Sequence, residues 1–100
     1  METSQEKLDR MVDKTTFENI VTEMVDIYKK KNSDYGDSFT ISCNEFGLTS
    51  PIIRLSDKLE RFKTLAKQGS SARVENEKIE DTLLDLANYA VMTLVWMKNK

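Results

Sequence analysis

The stretch NEKIEDTLLDLANYAVMTLVWMK, Asn76 to Lys98, decides the fold. On a helix turning about 100° per residue, Ile79, Leu83, Leu86, Ala87, Ala90, Val91 and Leu94 cover one broad apolar side. Four carboxylates, Glu77, Glu80, Asp81 and Asp85, fall within nine residues of the same stretch. Glu77, Asp81 and Asp85 follow one another at i, i+4 and i+8 on a separate stripe. Glu80 falls between Ala87 and Val91, inside the apolar arc, where a carboxylate must find a cation, a metal or an exit to water.

Working outward, Ser50-Pro51 reads as an N-cap with proline at the first helical position, opening a helix to about Lys67. Its expected apolar side is Ile52, Leu55, Leu59, Phe62 and Ala66, with Leu65 at the margin. Lys58 points between Phe62 and Leu65, so a partly buried cation is expected here and a partly buried anion on the last helix. Gln68 to Ser71 reads as a loop, with Asn76 as the N-cap of the final helix. Phe39, Cys43 and Phe46 at i, i+4 and i+7 predict a short helix stopped by Gly47, with its aromatic ends in the core.

Further upstream, Asn32 to Ser38 is rich in turn formers. Thr15 and Glu18 fit a capping box, predicting a helix from Phe17 to about Lys31 whose buried stripe is Phe17, Ile20, Val21, Met24, Ile27 and Tyr28. Residues 1–14 form a polar lead with a short helix at most. The expected architecture is all-α: a small antiparallel helical bundle over residues 15–100, with three long helices and a short one. The last helix is apolar over more than half its circumference, so a homo-oligomer is expected to bury the remainder.

Composition narrows the chemistry. The 100 residues carry 39% hydrophobic and 32% charged side chains, with 3 Gly and 1 Pro, which suits one helical domain. A net charge of -2 argues against binding a nucleic-acid backbone. Cys43 is the single cysteine, so no internal disulfide can form. With 0 histidines, imidazole catalysis and His-ligated zinc are excluded, leaving carboxylates that suit Mg²⁺, Mn²⁺ or Ca²⁺. METSQEKLDR shows no signal peptide and no apolar run reaches membrane-spanning length, so a cytoplasmic protein without a membrane partner is expected.

Three constellations could carry chemistry. Glu77, Glu80, Asp81 and Asp85 form a candidate metal set, although acids near a helix start are also stabilised by the macrodipole. Arg54, Lys58 and Arg61 form a candidate phosphate clamp; an Asp57–Arg61 salt-bridge ladder would explain the same spacing. Lys30, Asn32, Asp34 and Tyr35 could contact a nucleotide, with Tyr35 stacking on the base, while a helix-ending turn accounts for Asn32 and Gly36. Together the three sets are what a metal-bound nucleotide polyphosphate needs.

The segments KKKNSDYGDSF, PIIRLSDKLERFKTL and NEKIEDTLLDLANYAVM resemble the nucleotide-modification-associated domain family, first type, of phages and prophages. The landmarks are Asp34 to Gly36, Arg54 to Lys58 and Glu80 to Ala90, and the likeness runs from Phe17 onward. That family is similar in turn to the MazG-type all-α nucleoside triphosphate pyrophosphohydrolases, which hold Mg²⁺ on an E-x-x-E pair and an E-x-x-D pair and release pyrophosphate. The resemblance implies a Mg²⁺-dependent hydrolase acting on a nucleoside triphosphate in host cytoplasm, with Glu80 and Asp81 as catalytic candidates. The last helix offers Glu77-x-x-Glu80 and Asp81-x-x-x-Asp85 in place of E-x-x-D. This departure motivates a second reading, a non-catalytic accessory protein that sequesters a nucleotide or binds and inhibits a host protein.

Overall fold

The computed structural model describes residues 1–35, 37–67 and 73–100, and the side chains of all of these except 10–14, 33–35 and 73–77. The described residues form four helices: α1 (Ser4–Tyr35), α2 (Ser38–Phe46), α3 (Thr49–Lys67) and α4 (Arg73–Lys98). The all-α expectation of three long helices and a short one holds. The chain divides into two units, Met1–Asp34 and Tyr35–Lys100. The loop expected at Gln68 to Ser71 lies outside the described residues, as does Gly36.

The first unit is α1 by itself, 32 residues long where the sequence predicts a shorter helix. Its capping box sits at Thr3, not Thr15. Thr3 Oγ1 accepts from the Glu6 amide at 3.1 Å and Glu6 Oε2 accepts from the Thr3 amide at 3.4 Å. Both T-x-x-E matches satisfy the pattern, and the one at the true helix start has free amides to cap. The helix runs through Lys29, Lys30 and Lys31 into the expected turn. Phe17, Ile20, Val21 and Tyr28, expected in a buried stripe, are exposed, and Met24 and Ile27 are half-buried. A unit made of one helix has no second element against which to bury a stripe.

The second unit is built on α3 and α4. These pack on each other as an antiparallel pair, with five residues between them and Lys58 in mid-α3 meeting Asp85 in mid-α4. The inward side of α3 is Pro51, Leu55, Lys58, Phe62 and Leu65, all buried or half-buried. Ile52, Leu59 and Ala66, expected inside, are exposed. The packed side of α4 carries Thr82, Asp85, Tyr89, Met92 and Trp96. Both sets step by three and four residues in alternation, the spacing of knobs-into-holes seams.

Polar residues occupy the inward side of α4 because their hydrogen bonds close locally. Thr82, 2% exposed, donates its hydroxyl to the Lys78 carbonyl at 2.7 Å, and Thr93 does the same to Tyr89 at 2.7 Å. Trp96 buries its indole while Nε1 donates to Asn44 Oδ1 on α2 at 2.9 Å. Phe39, Cys43 and Trp96 form a core cluster against which Tyr89 and Met92 pack, and the Phe39 and Tyr89 rings lie 5.7 Å apart. Phe39 thus points inward as expected. Phe46 does not; at the other end of α2 it is 61% exposed.

Two short features join α2 to α3. Gly47 stops α2 as expected, with φ 66 and ψ -149, and its amide donates to the Cys43 carbonyl at 2.7 Å. Ser50 lies inside the first turn of α3 instead of capping it, since the Ile52 amide already donates to the Leu48 carbonyl at 3.0 Å. The buried Ser50 hydroxyl instead bonds Ser42 Oγ at 2.6 Å, linking the two helices. Asn76, read as a cap, falls within α4.

Nothing lies within 4 Å of a Cβ built at Gly47, so an added methyl meets no obstacle and gains no contact. Its backbone torsions alone set the cost of substitution. We expect Gly47→Ala to lower stability by about 1–3 kcal/mol in urea unfolding. Asn should not rescue it, because its tolerance is for the left-handed helical region near ψ of about +47°.

Candidate functional site

The charged centre of the second unit is the pair between α3 and α4. Lys58 Nζ donates to Asp85 Oδ2 at 3.0 Å, with side chains 28% and 18% exposed. Lys58 sits between Leu55 and Phe62 on its seam and Asp85 between Thr82 and Tyr89 on its own, so the pair is flanked by packed side chains on both helices. The partly buried cation is therefore where the sequence places it. The partly buried anion is not Glu80, which is exposed, but Asp85. On α4 these two directions differ by about 140°.

Other members of the acidic set are distributed around this pair. Asp81 is exposed and lies one turn before Asp85, about 40° away around the helix, on the same strip. Glu80 points away from that strip. The side chain of Glu77 lies outside the described residues. Among the described residues, no group of three or more carboxylate or thiol side chains comes together as a metal site.

Arg54 and Arg61 are exposed and flank Lys58 one turn to either side on α3. The antiparallel course of the helices carries Arg61 toward the level of Asp81 and Arg54 toward that of Asn88. Among the described residues the Asp57–Arg61 pair expected from spacing does not form, whereas Lys63 and Glu60 pair at 3.0 Å on the surface. Lys30 and Asn32 are exposed on α1, in the first unit, and the side chains of Asp34 and Tyr35 lie outside the described residues. Sequence reasoning missed Thr82, Tyr89, Met92 and Trp96 as inward residues of α4. Their signal is the three-four spacing from Thr82 to Trp96, hidden because two of its five members are polar.

The arrangement defines a class: a small all-α protein whose central helix pair carries an ion pair bordered by two arginines and a further carboxylate. Residues 31–97 match the family described as nucleotide modification associated domain 1, and the chain belongs to that family. The match spans the last turn of α1 and nearly all of the second unit, a narrower extent than the likeness read from Phe17 onward. No characterised protein and no solved structure matches the chain significantly. Among the described residues, no helix is long and apolar enough to cross a membrane.

Removing Lys58 takes a charge-assisted hydrogen bond from the half-buried Asp85 carboxylate. Lys58→Met should destabilise the protein by about 1–3 kcal/mol, between the values for exposed and fully buried pairs. The double variant Lys58→Met/Asp85→Leu should recover most of that loss in thermal unfolding, because it replaces both half-buried charges by apolar groups of similar size.

Proposed function

We propose that this chain binds a nucleotide on the α3–α4 face and resembles the Mg²⁺-dependent nucleoside triphosphate pyrophosphohydrolases in its use of that face. The observation that carries the reading is the Lys58–Asp85 pair bordered by Arg54, Arg61 and Asp81. Family membership over residues 31–97 supports a nucleotide as the ligand class. Guanidinium groups one turn either side of an ammonium offer phosphate oxygens several charge-assisted hydrogen bonds.

The donor set also suits Mg²⁺ brought in with its nucleotide. Mg²⁺ keeps several waters and takes one or two protein carboxylates together with substrate phosphates. Asp81 and Asp85 supply such a pair of oxygen ligands, with Glu77 and Glu80 as further candidates; Mn²⁺ fits the same donors. When bound, the metal would polarise the phosphoryl oxygens and activate water. With metal and nucleotide bound, Asp85 would be a ligand of the cation and Lys58 would contact the phosphates. Arg54 and Arg61 hold the remaining phosphate charge as it develops.

A role in cytoplasmic nucleotide metabolism or modification, in a phage or prophage setting, goes with this reading. The missing E-x-x-D pair, together with Asp85's engagement by Lys58, favours a second reading in which a nucleotide is bound and kept intact. Calorimetry with Mg²⁺ and each nucleoside triphosphate, modified bases included, should detect binding that Lys58→Met weakens roughly tenfold or more. Pyrophosphate release abolished by Asp81→Ala or Asp85→Asn would support hydrolysis. Binding with intact nucleotide recovered would support sequestration, and no binding of any nucleotide would refute both.

A further inference from the structure

With Thr82, Asp85, Tyr89, Met92 and Trp96 turned toward the core of the second unit, α4 has another apolar side. Leu83, Ala87, Ala90 and Leu94 stand at i, i+4, i+7 and i+11, again the alternation of a coiled-coil seam. Leu83 is 39% exposed and Leu94 54%, Ala90 is exposed, and Met97 extends the row. We propose that this seam is the interface through which two copies of the chain dimerise, α4 against α4 and antiparallel.

The occupant follows from the order of the residues. A twofold axis midway between Ala87 and Ala90 sets Leu83 of each copy opposite Leu94 of the other, and Ala87 opposite Ala90. The seam is therefore complementary to itself, as an isologous interface requires. The alanines at its centre let the helix axes approach, and the leucines fill the space at both ends. The same register lays Glu80, beside the start of each exposed seam, toward Lys98, beside the end of the second copy's seam. A parallel pairing would instead bring acids beside acids and lysines beside lysines. Charge and packing thus select the same arrangement, independently of any nucleotide.

Sedimentation equilibrium of the full chain should give twice the chain's 11.6 kDa. Leu83→Glu alone and Leu94→Lys alone should each reduce this to one chain mass with the helical circular dichroism retained. The combined variant should return to twice the mass, because the antiparallel register brings the new anion of each copy to the new cation of the other. A wild type of one chain mass, as expected if α1 of the same chain or a foreign protein covers the seam, would overturn the proposal. So would single variants that stay dimeric, or a combined variant that stays monomeric.

If a single variant loses its helical signal, oxidation of mixed, differently tagged Ala87→Cys and Ala90→Cys chains reads the register on folded protein. The mixed disulfide should exceed either self-disulfide several-fold, since self-pairs are offset by about 4.5 Å along the axis. Equal yields would overturn the register. The native Cys43 is 0% exposed and does not compete.

Discussion

The second unit depends on one contact, the ion pair between Lys58 and Asp85. Partial burial makes such a pair costly to desolvate, so its contribution to stability is modest compared with apolar residues of similar size. What it supplies is register. A slip of α4 by seven residues in one direction would set Lys58 against Lys78, and in the other against Met92. Either slip leaves a half-buried ammonium without an anion, a penalty that leucines repeated along a seam would not impose. The same pair is the centre of the proposed nucleotide site, so residues that align the helices would also meet the ligand.

Around that pair the packing is arranged so that polar groups reach the interior without loss. Thr82 and Thr93 return their hydroxyls to carbonyls of their own helix, and the Trp96 indole is satisfied by Asn44 of α2. Among the described residues, no buried side-chain nitrogen or oxygen lacks a partner. The nine-residue α2 closes the other end of the core with Phe39 and Cys43, held in place by the Gly47 stop and the Ser42–Ser50 hydroxyl bond.

Much of the element order is legible in the residues, and the departures share one cause. Helices α2, α3 and α4 follow from apolar periodicity and from the Gly47 stop, while the start of α3 falls ahead of the Ser50-Pro51 signal. Yet the inward side of α3 is turned by about 60°, and that of α4 by roughly 140°, from the arcs that apolarity alone selects. Ile52 and Leu59 are as apolar as Leu55 and Phe62. Hydrophobicity alone therefore cannot say which pair faces the neighbour. Apolarity selects the half of α4 that carries Glu80, whereas the half that packs on α3 carries Asp85. The candidate site was legible as three charged sets, and the identity of the partner facing Lys58 was not.

By itself the sequence determined that the protein is all-α, that Gly47 ends a helix, that Phe39 goes inside, and that Lys58 is a partly buried cation. These follow from local periodicity, backbone torsion and burial, which neighbours in the chain already specify. Tertiary structure alone decided which half of α4 faces α3, and hence that Asp85 pairs with Lys58 while Leu83 and Leu94 lie open to solvent. The physical reason is that α4 is apolar on two sides, two orientations that local pattern leaves equivalent. Opposing an ammonium on α3 to a carboxylate on α4 removes that equivalence.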